Sequence, residues 1–238
     1  MRAVLCLVAV AGCARSFAEA PPHPRGSATE VPRPSHAFAV AGEGMEYRIA
    51  LRGITVGNVV VAVGDAGVVD GRSAIIVRSR GTSGGVLAIL SELKWELKTV
   101  LSLADGAPIT EEETFDVAIG DKHEHDDHSR TWSEGDHEYN VHAAAALVRA
   151  WRSQVGEKLS FDVVIADAHL PVELTDVAHE FLASAKLPAV RYDGIAADKY
   201  ALSLWVSDDV ARVPLRLETA SKWGKIEVEL TSYDAPNR

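Results

Sequence analysis

The stretch Met45-Glu46-Tyr47-Arg48-Ile49-Ala50-Leu51 gives the clearest indication of how this chain folds. Its odd-numbered residues are all apolar, and this period of two is typical of a β-strand with one face in a core. Arg52-Gly53 then predicts a turn, and Ile54 to Val63 is apolar at both odd and even positions, which predicts a central strand. The folded region is therefore predicted to begin with a half-buried strand that a turn joins to a central strand.

The same alternation continues along the rest of the chain. It predicts further strands over residues 72–80, 95–101, 109–119, 159–165, 172–181, 199–206, 213–220 and 225–233. A short helix is predicted near 86–93, and one main helix over roughly 141–154, with Asn140 as its N-cap. The predicted fold is mainly β, a curved antiparallel sheet or half-barrel of about ten strands packed around that helix.

Composition limits the classes of function. The chain has 34 acidic and 24 basic side chains, a net charge of −10, and this balance disfavours nucleic acid as a partner. Hydrophobic residues make up 47% of the chain, enough for a substantial core. Both cysteines, Cys6 and Cys13, precede the predicted domain, so the core is expected to hold together by packing without a disulfide.

The N-terminal residues predict export. Arg2 is followed by an apolar run too short to span a bilayer, as in the core of a signal peptide. Val10-Ala11-Gly12-Cys13 resembles the lipobox of bacterial lipoproteins, which implies a signal peptide over 1–12 and acylation of Cys13. The alternative is an ordinary secretory signal that is cut later, after Ala18 or Ala20.

Residues 13–37 are predicted to be a lipid-anchored tether, because five of the ten prolines lie there. Residues 38–238 are then a single β domain. The lipobox resemblance implies a membrane partner through the acyl chains and a periplasm-facing position in the cell envelope. Ala14 is not the aspartate that retains the resembled lipoproteins in the inner membrane, so the outer membrane is expected.

Several segments resemble the DUF3108 family of bacterial envelope proteins. They are Phe38 to Glu43 with Tyr47, Gly53 to Gly57, His142 to Trp151 with Arg149, Gly156-Glu157, and above all Trp205-Val206-Ser207-Asp208-Asp209-Val210-Ala211-Arg212-Val213-Pro214 before Gly224. Together they cover nearly everything from Phe38 to Tyr233. The resemblance implies a periplasm-facing β domain and brings no catalytic residue and no cofactor with it.

The segment Asp121 to His128 is the main candidate for a metal site. Imidazole and carboxylate groups are zinc or nickel ligands, and His123 and His125 share a face if the segment is extended, with His128 as a third candidate. The alternative, which we favour, is a solvated polar loop between Ile119 and the helix.

Two acidic groups are interpreted as structural. Asp208 and Asp209 are expected to form a turn in which one of them pairs with Arg212, while Pro214 begins a strand. In Glu111-Glu112-Glu113, two of the three side chains are expected to face solvent. The five tryptophans, including Trp205, are interpreted as packing residues.

No nucleophile motif or glycine-rich phosphate loop is present, so a non-enzymatic role is predicted. The leading hypothesis is an envelope lipoprotein that binds an apolar ligand, such as a lipid, or another envelope component on the concave face of its sheet. The alternative is a structural or assembly factor that acts through protein contacts. A metal-dependent hydrolase using residues 121–128 is the third hypothesis.

Overall fold

The structure is a computed structural model that describes residues 39–236 except 86, 134, 137, 167, 198 and 222. Its helices are α1 (Leu87–Leu90) and α2 (Val141–Ala150). The strands are β1 (Gly44–Leu51), β2 (Ile54–Val69), β3 (Arg72–Ser83), β4 (Glu92–Ser102), β5 (Pro108–Ile119), β6 (Lys122–Thr131), β7 (Glu138–Tyr139), β8 (Lys158–Ile165), β9 (Ala168–Leu182), β10 (Leu187–Ala196), β11 (Tyr200–Ser207), β12 (Pro214–Ser221) and β13 (Gly224–Asp234).

These 13 strands form one sheet in the order β6-β5-β4-β3-β2-β1-β13-β12-β11-β10-β9-β8-β7. The chain runs outward from β1 to the edge strand β6, crosses through α2 to the other edge, and returns strand by strand until β13 pairs with β1. Strands β7 and β8 pair in parallel, and the other neighbours are antiparallel. Nearly all strands that pair in the sheet are consecutive in the sequence, so short turns connect most of the strands.

The sheet curls around α2. One buried cluster joins Met45 and Leu101 from the first half of the sheet to Leu215 from the second half, with Ala143 and Ala146 of the helix between them. Near the two edges of the sheet, the Arg130 guanidinium of β6 donates to the Ala166 carbonyl oxygen, beside β8, at 2.9 Å. The face toward α2 is therefore concave and the opposite face convex.

The sheet has two ends along the strand direction, which we name the entry end and the far end. The entry end holds the start of β1 at Gly44 and the turns at 183–186 and 208–213. The far end holds the turns at 52–53 and 120–121. Among the described residues, no helix is both long and apolar enough to cross a membrane.

The mainly β class with one main helix is confirmed, but the expected count of about ten strands is too low. The three additional strands are β6, β7 and β10. Strand β6 is charged on both faces and β7 has only two residues. Strand β10 contains Pro188 and Gly194, which lower the strand propensity. An apolar period of two is therefore weak in all three.

Two smaller expectations also need correction. The main helix ends at Ala150, not near residue 154, although Asn140 is its N-cap as predicted and accepts a hydrogen bond from the Ala143 N–H at 2.9 Å. Strand β2 is not buried on both faces, since Val60 on the convex side is 46% exposed. The segment 1–38, with Cys13 and the predicted tether, lies outside the described residues.

Candidate functional site

One part of the concave face is not covered by α2. Its buried side chains are Ile49, Val59, Trp95, Leu97 and Ile226, and its partly buried ones are Tyr47, Leu51, Val56, Val61, Phe115 and Trp223. We call this set the apolar floor. It lies on strands β1, β2, β4, β5 and β13 and on the turn before β13, toward the far end.

The apolar floor and the core under α2 belong to the same face of the sheet. Tyr47 and Val61 pack against both clusters, and the strand alternation puts Ile49 on the same side as Met45. The clusters that contain helix residues draw them from α2, whereas the apolar floor is made of strand and turn residues. The floor is therefore a continuation of the core that the helix leaves partly open.

Trp95 forms the centre of the floor because Gly81 makes room for it. A Cβ atom at Gly81 would lie 3.1 Å from Cε3 of Trp95 and 3.6 Å from Cγ2 of Val59, so the indole packs directly against Gly81 of β3. The Trp95 indole N–H donates to Oε1 of Glu113 at 2.6 Å. The one polar atom of the ring is thus satisfied at the margin of the floor.

A buried polar cluster borders the floor at the N-terminal end of α2. The Asn140 amide donates to Thr99 Oγ1 at 2.8 Å and to Glu111 Oε2 at 2.6 Å. The two ring nitrogens of His142 lie 2.8 Å from Thr99 Oγ1 and 2.7 Å from Ser79 Oγ. This N-terminal polar cluster fixes the start of α2 against β3, β4 and β5.

Burial sets the charge of this cluster. It lowers the pKa of His142 to about 3, so the imidazole is neutral at neutral pH. It raises the pKa of Glu111 to about 7, against the opposing effect of the Asn140 hydrogen bond. Glu111 and Glu113 face the concave side and only Glu112 is fully exposed, so the expectation that two of the three face solvent is wrong.

The C-terminal end of α2 is held by a buried ion pair. Arg149 contacts both carboxylate oxygens of Glu43, at 2.9 and 2.8 Å, and its side chain is 7% exposed against 1% for Glu43. The guanidinium also donates to the Ala211 carbonyl oxygen at 2.8 Å, and the Tyr233 hydroxyl donates to Glu43 at 2.9 Å. One pair thus joins β1, α2, β13 and the β11–β12 loop.

The pairing of Glu43 with Arg149 was not predicted from the sequence. Both residues lie in the segments that resemble DUF3108, but those segments do not show which side chains meet. The available signal was Arg149 itself, a charged residue near the end of a mostly apolar helix. A charge at such a position requires a partner, because an unpaired buried charge is costly.

The residues predicted to be structural between Trp205 and Pro214 make packing, hydrogen-bond or ion-pair contacts within the domain. The Trp205 indole lies between the guanidinium groups of Arg191 and Arg216, at 5.3 and 5.6 Å, and donates to Glu180 Oε1 at 2.6 Å. Pro214 begins β12 as predicted, and its carbonyl oxygen accepts from the Tyr47 hydroxyl at 3.1 Å.

The expected pairing of Arg212 with an aspartate is wrong. Asp209 Oδ1 instead accepts the backbone N–H groups of Ala211 and Arg212, both at 3.0 Å. The Arg212 guanidinium turns inward to the Tyr192 hydroxyl and to the Trp151 carbonyl oxygen. Asp208 pairs with His179 Nδ1 at 3.0 Å. Asp209 therefore closes the turn, and the Arg212 guanidinium is buried beside the C-terminal end of α2.

A serine, an aspartate and a histidine also meet near this loop. The Ser153 hydroxyl donates to Oδ2 of the fully buried Asp176 at 2.6 Å, and His179 Nε2 lies 3.5 Å from the same oxygen. The serine hydroxyl and the imidazole contact the same carboxylate oxygen, and the hydroxyl donates to the aspartate. A nucleophilic serine needs a base at its own hydroxyl, and this arrangement does not provide one.

The candidate metal ligands lie on β6, so the favoured interpretation as a loop is wrong. His123 and His125 are exposed on one face, where His123 Nε2 contacts Asp116 and His125 Nε2 contacts Asp127 at 3.1 Å. His128 points to the opposite face because its position is even-numbered. Within the described part of the chain, no three His, Cys, Asp or Glu side chains are grouped to hold a metal ion.

One sheet, antiparallel except between β7 and β8, curls around one helix and defines a mainly β class of protein. A β-barrel-like protein of domain DUF1849 from Brucella abortus has a similar fold, with a TM-score of 0.53 and 8% identity over 84% of this chain and 99% of that chain. Residues 46–231 match the DUF3108 family, described as a protein of unknown function. The chain belongs to this family, as the sequence segments indicated.

Two other structures show weaker similarity. One is a candidate exported protein with a YmcC-like fold from Bacteroides fragilis, with a TM-score of 0.41 and 11% identity over 84% of this chain and 100% of that chain. The other is a candidate lipoprotein from Parabacteroides distasonis, with a TM-score of 0.40 and 9% identity over 84% and 99% of the two chains. No curated protein matches the chain.

Proposed function

We propose that the protein is a non-enzymatic envelope lipoprotein that binds an apolar ligand on the apolar floor. It is attached to the outer membrane by acyl chains on Cys13 and faces the periplasm. The observation that carries the proposal is the continuation of the apolar core beyond α2, where six side chains of the floor remain partly exposed.

The chemistry of the floor selects the ligand class. Its members are aliphatic or aromatic, and Trp95 already uses its indole N–H within the protein. Removing such surface from water stabilises a complex by roughly 25 cal/mol per Å² before the costs of association are subtracted. A long apolar chain, as in a lipid, gains most from this surface because it needs no polar partner there.

The proposal is tested by native mass spectrometry of protein purified from membranes and by titration with a fluorescent fatty acid. Val61→Asp puts a charge on the floor, and we expect it to weaken probe binding at least tenfold. Val60→Asp is the matched control, because the neighbouring side chain points to the convex face. Binding should remain unchanged in this control.

Val61→Thr is the milder variant if Val61→Asp unfolds, and it should weaken binding by a smaller factor at unchanged circular dichroism. Equal affinity for the wild type, the Val61 variants and Val60→Asp would contradict a ligand site on the floor. A native mass spectrum without any bound apolar molecule, together with no probe binding, would also contradict it.

A second candidate function is assembly through protein contacts, and the β8 edge favours it. Strand β8 has eight residues, but β7 pairs with only Asp162 and Val163. Edge strands with free length accept extended segments from partners. A photo-cross-linker at Ser160 on β8 should then capture an envelope protein in living cells. One at Ser129 on the β6 edge should not, because the charged side chains of β6 disfavour pairing with another strand. Equal capture at both positions would contradict this function.

A further inference from the structure

The entry end carries a set of exposed apolar side chains on four segments of the chain. Val210 is 86% exposed, Phe181 66%, Val155 63%, Leu187 43% and Val40 42%. We call these five the entry-end tips. Isolated exposed apolar residues are common on proteins, so what matters is whether the five lie together.

Hydrogen bonds connect Val40 to the β11–β12 loop. The Val40 N–H donates to Glu43 Oε2 at 3.3 Å, and Glu43 binds Arg149. Arg149 in turn donates to the carbonyl oxygen of Ala211, the neighbour of Val210. The start of the described chain and the most exposed apolar side chain are therefore held at the same end by one buried ion pair.

Phe181 and Leu187 are connected to the same loop, and Val155 is connected to β9. The Asp208 N–H donates to the Pro188 carbonyl oxygen at 2.9 Å, and Pro188 lies opposite Phe181 in the β9–β10 hairpin, next to Leu187. Val155 lies one residue before Gly156, whose N–H donates to the Asp176 carbonyl oxygen of β9 at 2.7 Å.

Two of the carboxylates near the tips are already engaged within the protein. Asp208 is paired with His179, and Asp209 Oδ1 accepts two backbone N–H groups of its own loop. Arg152 and Lys186 are exposed cations between the tips. Long basic side chains can place their charge at lipid head groups while neighbouring apolar residues enter the acyl region.

We propose that the entry end rests on the membrane, with the entry-end tips inserted into the lipid surface. This inference rests on the proposed attachment of the chain to a membrane. A protein partner generally requires one continuous complementary patch, whereas a fluid bilayer accommodates separate apolar tips from four segments of the chain.

The anchor alone would not impose this orientation. Residues 14–38 lie between Cys13 and the described chain, and 25 residues in extended conformation span up to about 80 Å. A connection of this length does not by itself bring one side of the domain against the bilayer. A fixed orientation must therefore come from contacts of the domain itself, which makes orientation a direct test.

The test uses the acylated full-length protein in vesicles of phosphatidylethanolamine and phosphatidylglycerol that contain nitroxide-labelled lipid. An environment-sensitive fluorophore is attached at Val210→Cys or, as a matched control at the far end, at Ile54→Cys, which is 55% exposed. We expect quenching of the fluorophore at 210 to exceed that at 54 at least threefold. Equal quenching at both positions, or none at 210, would overturn the proposal.

A second pair guards against a local effect of the label. Phe181→Ser and Ile195→Ser each remove one exposed apolar side chain, at the entry end and the far end respectively. With the fluorophore at 210, Phe181→Ser should lower quenching at least twofold and Ile195→Ser should leave it unchanged. Equal effects of the two would overturn the proposal.

Failure of the proposed function can be told apart from failure of the proposed orientation, because acylation, ligand binding and orientation are measured separately. Acylation of Cys13 is read from the mass of the intact protein, and ligand binding from the fatty-acid titration. If Cys13 is not acylated, the same fluorophore comparison is made with Cys13→Ser protein that floats with the vesicles. The quenching measurement therefore tests the orientation of the domain whether or not a ligand binds to the apolar floor.

Discussion

The concave face has two parts that differ in how they are covered. Under α2, Ala143, Leu147 and Val148 are at most 4% exposed, and the strands they contact are closed off from water. On the apolar floor, Leu51 and Val56 belong to the same face but remain partly exposed. The sheet therefore makes one apolar surface, and the position of the helix divides it into core and candidate site.

The largest expected effect is removal of the ion pair that holds α2 over its part of the face. Arg149→Met leaves the Glu43 carboxylate buried without its partner, and we expect a loss of about 3–5 kcal/mol in the free energy of unfolding. Urea denaturation measures it. Arg152→Met, on an exposed arginine three residues later, should change stability by less than about 0.5 kcal/mol.

A second substitution that removes the charge of Glu43 tests the same ion pair more specifically. Arg149→Met with Glu43→Gln should recover part of the lost stability, because the second substitution removes the uncompensated charge. If Arg149→Met and Arg152→Met lower the free energy of unfolding equally, the ion pair does not hold the helix.

Truncating side chains compares the two parts of the face directly. Leu215→Ala, in the covered part and 2% exposed, should destabilise by about 2–5 kcal/mol because it leaves a cavity. Leu51→Ala, on the floor, should cost about 1 kcal/mol, since that side chain already contacts water. Equal losses in urea denaturation would mean that the floor is as closed as the core.

The N-terminal polar cluster gives a pH-dependent prediction. The folded protein holds a proton on Glu111 up to a pKa of about 7, above the ordinary glutamate value, so stability is lost as pH rises toward 7 and this loss persists above it. Glu111→Gln should remove a destabilisation on the order of 3 kcal/mol at pH 8 and have little effect near pH 4.

The measurement compares urea unfolding of wild type and variant at each pH. The contribution of His142, whose lowered pKa makes stability fall as pH drops below its ordinary value, is common to both and cancels. A difference between the two proteins that does not change with pH would contradict the assigned charge state of Glu111.

A smaller effect is expected for the space under Trp95. Gly81→Ala puts a methyl group 3.1 Å from the indole, and we expect a loss of about 1–2 kcal/mol with a shift in the tryptophan fluorescence. Gly67→Ala is the control, because a Cβ atom there meets no described atom within 4 Å. If both variants are equally stable, Trp95 does not need the gap that Gly81 provides.

The strands with apolar alternation could be predicted from the sequence, and those without it could not. Residues 45–51 and 225–233 predicted β1 and β13, whereas β6 has polar residues on both faces and shows no periodic signal. For the same reason the alternation of Glu111 to Glu113 was recognised but assigned to the wrong faces. An alternating pattern shows that a strand has two different faces. Which face is buried is known only when the neighbouring strands are in place.

The apolar floor could not be predicted from the residues. Ile49 and Met45 carry the same signal in the sequence, since both are apolar at alternate positions of one strand. That α2 covers one and not the other depends on the Arg149–Glu43 pair and the N-terminal polar cluster, whose members are distant in the chain. Contacts of that separation leave no local pattern.

Four features were readable from the order of the residues alone: the mainly β class, the DUF3108 family, the main helix with its Asn140 cap and the start of β12 at Pro214. Each depends on local periodicity, capping or motif order, which neighbouring residues specify. Only the tertiary structure showed three other features: the order of the thirteen strands, the inward direction of the Arg212 side chain and the partly open floor beside α2. These features depend on which residues, distant in the chain, pair their buried charges and pack their apolar surfaces against one another. Those contacts form only when the sheet curls around the helix.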